Sequence, residues 1–167
     1  MYEYCVFALL AVVLSAAADR SDEIHKCIEY LDSDLHCCKS CPLSKKPEDL
    51  DLLKECMRIP RTPGSCERAM CFSTKKGFVT DDGTVKIDVV RKDLEERFAD
   101  NKDIIEATME KCVDGDFTVY GEADDCDAAK MLNCIQWQVK FRCKDFKDDG
   151  PCNGSKDMAK KCIELDS

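Results

Sequence analysis

Residues 34–46, DLHCCKSCPLSKK, place three thiols within five positions, at Cys37, Cys38 and Cys41. The Cα atoms of adjacent residues lie about 3.8 Å apart, whereas a disulfide needs roughly 4.4 to 6.8 Å. We therefore expect Cys37 and Cys38 to have separate partners elsewhere in the chain. Cys38 and Cys41 also have the spacing of a zinc knuckle, with His36 nearby. Whether these cysteines bind a metal or form disulfides depends on whether the protein occurs in a reducing or an oxidising compartment.

The N-terminal segment has the pattern of a secretory signal peptide. Residues 6–14 form an apolar run, and small residues follow at Ala16 and Ala18, where a signal peptidase would cut. The run is too short for a bilayer span of roughly 20 residues. We predict that residues 1–18 are a signal peptide and that residues 19–167 form a single disulfide-rich helical domain of a secreted, extracellular protein.

Cysteine is frequent in the rest of the chain. Removing the first 18 of 167 residues leaves 149, and Cys5 leaves with them, so 13 of the 14 cysteines remain. This density is typical of a disulfide scaffold in a secreted protein. Disulfides are therefore favoured over zinc in the 34–46 stretch, and we predict neither a metal site nor another cofactor. The odd count implies six bridges and one free thiol, or an intermolecular link.

The net charge excludes some classes of partner. It is −9 for the whole chain and becomes −8 without residues 1–18, which contain one acidic residue, Glu3, and no basic one. An acidic surface disfavours nucleic acids and anionic membranes as partners. Acidic and basic residues are interspersed along the helical patterns, which is typical of a solvated surface. No segment after the signal is apolar enough to span a bilayer, so we predict no membrane insertion.

Apolar residues recur at spacings of three and four, which predicts a series of amphipathic helices. The first covers residues 22–31, and Pro47 opens the second as a first-turn proline. We expect four side chains of this second helix to face inward: Leu50, Leu53, Cys56 and Met57. Further helices are expected over 65–77, over 88–98, from residue 100 or 101, over 124–143 and from residue 155. A little extended structure is expected around residues 117–120.

The cysteine positions indicate an interlocked bundle. Cys134 and Cys143 are nine positions apart, which on a helix is about 13.5 Å of rise and roughly 180° of rotation. They cannot bond to each other and should face different neighbours. The directions of Cys66 and Cys71 around the helix axis differ by about 140°, so these two cysteines should also face different neighbours. The predicted fold is all-α, a compact bundle of about six to eight short helices cross-linked by up to six disulfides and enclosing an apolar cavity.

Catalytic motifs are missing from the sequence. The two histidines, His25 and His36, both lie near the N-terminus, so a Ser-His-Asp or Cys-His site would have to form there. A secreted phospholipase would have a His-Asp pair after its double cysteine, and CCKSCPLSK has none. Setting Gly83 at the sixth position of a calcium loop leaves the ligand oxygens missing. We predict no enzyme and no catalytic residues. Asn153 begins a glycosylation sequon.

The apolar stripes supply candidate ligand-binding residues. Each residue of these stripes, taken by itself, also fits an ordinary hydrophobic core. A small domain held by six bridges can, however, sustain a cavity, and methionine and aromatic side chains suit an adaptable apolar pocket. We expect seven residues to line such a pocket: Leu94, Phe98, Ile105, Met109, Leu132, Ile135 and Val139.

The cysteine spacing resembles that of a known family. Cys66 is followed closely by Cys71, forty residues then precede Cys112, and eight residues separate Cys134 from Cys143. This pattern resembles the insect odorant-binding proteins, the family of pheromone-binding and general odorant-binding proteins. The further cysteines resemble its Plus-C subgroup: Cys37, Cys38, Cys126, Cys152 and Cys162.

The resemblance implies three bridges and a function. The bridges would be Cys38 (or Cys37) to Cys71, Cys66 to Cys134, and Cys112 to Cys143. It also implies a secreted carrier of small hydrophobic molecules, odorants or pheromones, in extracellular sensory fluid, with an odorant receptor or a second copy of the chain as further partners. The alternative is a secreted disulfide-rich interaction or inhibitor protein of the salivary or venom type, without a small-molecule pocket.

Overall fold

The structure, a computed structural model, describes residues 22–31, 37–39, 47–60 and 65–166. The predicted signal peptide, His36 and Cys41 lie outside these ranges. The described residues form seven α-helices, which we number in chain order: α1 over residues 22–31, α2 Pro47–Cys56, α3 Glu67–Lys75, α4 Ile87–Arg97, α5 Lys102–Thr108, α6 Asp127–Phe141 and α7 Ser155–Leu165. They contain no strands, only two isolated bridges. The predicted all-α fold is therefore confirmed.

The α3 to α4 connection shows how local sequence sets helix ends. The backbone N–H of Glu67 donates to Ser65 Oγ at 3.3 Å at the start of α3. After α3 the chain turns at Gly77, whose φ of 72° lies in the left-handed region that glycine adopts without a Cβ clash. A turn follows, closed by the bridge between Val79 and Val85.

The segment after α5 corrects the expectation of extended structure. The helix continues from α5 into a π-helical turn, Met109–Val113, and a short 3-10 helix, Phe117–Tyr120, follows. Asp116 caps this 3-10 helix, because its carboxylate accepts the backbone N–H of Thr118 at 3.0 Å. This local hydrogen bond to the Asp116 side chain thus stabilises a helical turn. The β-forming residues of this segment favoured extended structure instead.

Helix α6 is the centre of the bundle. It packs against α3, α5, α7 and the 3-10 helix Phe117–Tyr120. Ten of its residues are buried, on all of its faces, as expected for a helix surrounded by others. It ends at Phe141, two residues before the predicted end at Cys143, and it begins at Asp127 instead of residue 124.

Helix α2 differs from the inward orientation that its pattern predicts. Cys56 is buried, but Leu50, Leu53 and Met57 are 41%, 39% and 53% exposed. The buried face instead carries Asp49, which is 4% exposed and forms ion pairs with the ends of α3 and α4. The buried Asp49 therefore determines which face of α2 is turned towards the rest of the protein, and the apolar stripe faces outward.

Six disulfides cross-link the described residues. Three of them join the N-terminal part to the C-terminal part in nested order: Cys27 to Cys162, Cys37 to Cys152 and Cys38 to Cys143. The other three lie between: Cys56 to Cys71, Cys66 to Cys126 and Cys112 to Cys134. The adjacent Cys37 and Cys38 have separate partners, as the distance argument predicts. Six bridges indicate an oxidising environment for this protein.

The three pairings implied by the resemblance are wrong. Cys126, just before α6, bonds to Cys66, so Cys134, two turns along α6, bonds to Cys112 instead. Cys143 lies beyond the end of α6 and bonds to Cys38. Backbone pairing brings these two segments together, since Cys38 and Phe146 form an antiparallel bridge.

A half-open cleft as the candidate functional site

A cleft of about 490 Å³, half open to solvent, lies where α1, the 3-10 helix, α6 and α7 meet. Its volume is within the usual range for small-molecule sites. The apolar part of its lining comes from four elements that only the tertiary structure brings together: Ile24, Val119, Tyr120, Trp137 and Leu165. Of these, Trp137 and Tyr120 are almost fully buried, and Val119 is 53% exposed.

Two aromatic rings form a rigid wall of the cleft. The rings of Tyr120 and Trp137 meet edge to face, with centroids 5.4 Å apart and planes at 75°. Behind them, Trp137 meets Phe141 in the same way at 5.0 Å. Edge-to-face contacts of this kind stabilise aromatic packing beyond simple area burial. These two rings are themselves almost fully buried, so most of the apolar surface open to solvent in the cleft belongs to Ile24, Val119 and Leu165.

A polar network holds the wall in place. The Tyr120 hydroxyl donates to Asp166 Oδ1, and the Gln138 side-chain amide donates to Asp166 Oδ2 at 3.0 Å and to the Tyr120 hydroxyl at 3.2 Å. Burial, together with the Asp166 carboxylate, raises the pKa of Tyr120 far above its ordinary value. Tyr120 stays protonated at all physiological pH values, so this hydrogen bond ties the 3-10 helix to the end of α7.

Charged residues also line the cleft. They are Glu110, Lys111, Asp116 and Asp166. The Lys111 ammonium lies 3.3 Å from Glu110 Oε1, so these two charges neutralise each other. The hydrogen bonds that Asp116 accepts from the Thr118 side chain and backbone lower the pKa of its carboxyl, which is therefore ionised at neutral pH.

A histidine links α1 to the loop that precedes α6. His25 Nδ1 lies 2.5 Å from Glu122 Oε1, and its Nε2 lies 3.3 Å from Glu29 Oε1. The hydrogen bond with Glu122 raises the pKa of His25 above its ordinary value. Ile24, which directly precedes His25 on α1, lines the cleft. The His25–Glu122 contact therefore holds one wall of the cleft in position.

The seven residues predicted to line a pocket lie elsewhere. Leu94, Phe98, Ile135 and Val139 are buried in the core. Ile105 and Met109 are half-buried against that core, and Leu132 is also half-buried. None of the seven lines the cleft described above. That they line an enclosed cavity stays a prediction.

The cleft residues could have been found from one sequence signal. The run FTVY, residues 117–120, places three apolar or aromatic side chains in an otherwise polar loop. Such a run in a loop indicates a surface that packs on another part of the molecule or on a ligand. Trp137 belongs to the same α6 pattern as the core residues, and periodicity alone does not separate a core position from a cleft wall.

The described residues offer no cluster of three His, Cys, Asp or Glu side chains that could hold a metal ion. Cys38 is bonded to Cys143, so it is not a zinc ligand. Of the helices that the structure describes, none is long and apolar enough to cross a bilayer. Comparison of the chain with protein-family models, with curated proteins and with solved structures found no match.

Proposed function

We propose that this protein is a secreted, non-enzymatic carrier of small hydrophobic molecules, of the insect odorant-binding type, that takes up odorants or pheromones in extracellular fluid. The observation that carries the proposal is the 490 Å³ cleft with its apolar wall. Each 100 Å² of apolar ligand surface removed from water contributes about 2.5 kcal/mol to binding. On this proposal a small apolar ligand binds the cleft without any covalent chemistry.

The order of the disulfides supports the family proposal. The three bridges that the resemblance implied join six cysteines in chain order as first to third, second to fifth and fourth to sixth. The same order occurs here, on a different set of residues: Cys56, Cys66, Cys71, Cys112, Cys126 and Cys134. The interlocked arrangement is thus the one expected from the resemblance, although the residues assigned to it were not.

The remaining three bridges lie outside this six-cysteine unit and contain four of the five cysteines that resemble the Plus-C subgroup: Cys37, Cys38, Cys152 and Cys162. Cys27, Cys37 and Cys38 connect to cysteines near or beyond the end of α6. They fasten α1 and α7 around the central six-cysteine unit. Because α1 and α7 each contribute a residue to the cleft, these added bridges hold the cleft together.

The alternative, a secreted interaction or inhibitor protein, is favoured by one observation. Leu50 and Leu53 on α2 and Met57 directly after it form an exposed apolar stripe. Exposed apolar side chains on one helix face are a feature of protein contact sites. A protein partner would use this stripe and would not need the cleft.

A titration with a matched pair of variants tests the carrier proposal. Purified, oxidised protein is titrated with the environment-sensitive probe N-phenylnaphthylamine, and bound probe is displaced with volatile compounds. Val119→Glu places a charge in the cleft wall, and Val89→Glu places the same charge on α4, at a valine that is also exposed and lies outside the cleft. We expect saturable micromolar binding that Val119→Glu weakens about tenfold and Val89→Glu leaves unchanged.

Two results would contradict the proposal. A flat titration of protein shown to be folded would exclude a carrier and favour the interaction protein. Equal effects of the two valine variants would place the probe outside the cleft. For the alternative, Leu53→Lys should abolish capture of a protein partner while the probe titration stays unchanged.

A further inference from the structure

Asn153 begins the single Asn-X-Ser/Thr sequence of the chain, Asn153-Gly154-Ser155. The sequon follows the short 3-10 helix Gly150–Cys152, and its serine is the first residue of α7. About 15 Å along the α7 axis separates Ser155 from Leu165, which lines the cleft. The sequon therefore lies at the end of α7 that is remote from the cleft, and ligand binding makes no use of it.

The space around Asn153 is open. Asn153 is exposed, and no hydrogen bond joins its side-chain carboxamide to the residues that the structure describes. A Cβ atom built on Gly154, the next residue, would meet no other atom within 4 Å, and the same holds for Gly150 on the other side. A bulky, hydrophilic group on Asn153 would therefore extend into solvent without displacing a neighbouring side chain.

The other half of the sequon is hidden in the folded protein. Ser155 is 1% exposed. Cys152, which directly precedes Asn153, is 5% exposed and bonded to Cys37. A glycosylation sequon is recognised through its serine hydroxyl as well as its asparagine carboxamide. The folded protein thus presents the acceptor nitrogen but not the hydroxyl that a transferase must also bind.

We propose that Asn153 carries an N-linked glycan, which is attached before the Cys37–Cys152 bridge and α7 form. Asn153 Nδ2 attacks the anomeric carbon of a lipid-diphosphate-linked oligosaccharide. A nitrogen–carbon bond replaces the carbon–oxygen bond to the diphosphate, which leaves with its lipid, and Nδ2 releases one proton to solvent. This inference goes beyond the carrier function and rests on its secretory route, because that route supplies the oligosaccharide donor.

The first test examines the full chain secreted by a eukaryotic cell line. Peptide N-glycosidase in heavy-oxygen water should lower the mass of the protein and convert Asn153 to an aspartate that carries the heavy oxygen. A parallel sample without the enzyme measures spontaneous deamidation of the Asn153-Gly154 pair. Secreted protein without a glycan would overturn this inference and leave the carrier function standing. A chain that the cells retain would instead overturn the secretory route and, with it, both proposals.

Three variants assign the glycan to this residue. Asn153→Gln and Ser155→Ala each remove the sequon, so the enzyme should no longer change the mass of the secreted protein. Asn101→Gln is the control, because Asp103 stands where a sequon needs serine or threonine, and it should keep the glycan. A glycan that persists in Asn153→Gln would place the modification elsewhere. Loss of the glycan in Asn101→Gln as well would mean that these variants do not identify the site.

A second test measures the order of glycosylation and folding. The unglycosylated full chain is offered to a detergent-solubilised oligosaccharyltransferase with its lipid-linked donor, either oxidised and folded or reduced and alkylated. We expect the reduced chain to accept the glycan at least about tenfold faster, because the folded protein exposes Ser155 only when this segment opens locally. Equal rates would show that the folded protein is a substrate and overturn the proposed order.

Discussion

Asp49 on α2 and Arg97 at the end of α4 form a nearly buried ion pair, with Oδ2 and Nη1 2.7 Å apart. Lys76 lies 3.1 Å from the other oxygen of Asp49 and 2.9 Å from Asp93, which in turn pairs with Arg97 at 2.9 Å. Two acids and two bases thus form a closed ring that fastens α2 to α3 and α4. Outside this ring, the Cys56–Cys71 bridge also joins α2 to α3.

Replacing Asp49 should destabilise the fold strongly. Asp49→Asn leaves a net positive charge among Lys76, Asp93 and Arg97, and breaking a buried ion pair costs about 3 kcal/mol of the free energy of unfolding. Asp51→Asn is the control, because Asp51 lies on the same helix but its pair with Lys54 is exposed. We expect the control to change stability by less than about 0.5 kcal/mol. Urea unfolding measures both, and equal effects would show that the ring contributes nothing.

The contribution of Asp49 should depend on pH. Burial alone would raise the pKa of Asp49, but the hydrogen bonds and charges of Lys76 and Arg97 outweigh burial and hold the pKa below its ordinary value. A lowered folded-state pKa stabilises the fold above the unfolded-state value of about 3.9, and this stability is lost as the pH falls through the folded-state pKa. The stability difference between the native protein and Asp49→Asn should therefore be constant from about pH 5 to 8 and shrink below about pH 4. A difference independent of pH down to pH 2 would contradict this assignment.

The contribution of His25 to the free energy of unfolding should depend on pH in the opposite direction. Its pKa is raised by Glu122, so the contact stabilises the fold fully below the unfolded value of about 6.5, and this contribution is lost as the pH rises through the folded-state pKa. Glu122→Gln should return the pKa of His25 towards its ordinary value, whereas Glu29→Gln should lower it less, because Glu29 lies at the longer distance. A proton NMR titration of the His25 ring measures the pKa in each variant. A larger effect of Glu29→Gln would show that α1 is not held by Glu122.

The disulfides should differ in their contribution to stability. The chain-entropy model gives about 4 kcal/mol for the Cys66–Cys126 bridge and about 3 kcal/mol for Cys56–Cys71, because the first closes 60 residues and the second 15. Paired Cys→Ser variants and denaturant unfolding measure both values. A larger loss for the shorter loop would contradict the model.

The pairing itself can be mapped by mass spectrometry of peptides from a non-reducing digest. We expect one linked peptide pair to contain Cys66 with Cys126 and another to contain Cys112 with Cys134. A peptide that joins Cys66 to Cys134 would restore the pairing implied by the family spacing and contradict the structure. The same digest shows the state of Cys41.

The error in pairing has an identifiable cause. The eight residues between Cys134 and Cys143 match the family spacing, but α6 ends at Phe141, so only the first of these two cysteines lies on the helix. The interval between Cys126 and Cys134 is one residue shorter, with seven, and it is this pair that completes the interlocked order. Cys126 also lies just outside α6, so the helix bounds do not separate the two intervals. Spacing identified the kind of framework, but two intervals of nearly equal length left the assignment of its cysteines open.

The sequence by itself determined the helices, the disulfide scaffold and the separate partners of Cys37 and Cys38. These follow from local properties, namely apolar periodicity, cysteine density and the short distance between adjacent Cα atoms. Only the tertiary structure decided which cysteines bond, that α2 turns Asp49 inward and its leucines outward, and that Ile24, Val119 and Trp137 share one cleft. These features depend on distances between residues far apart in the chain. Such distances are set when all the helices pack together, and no single segment encodes them.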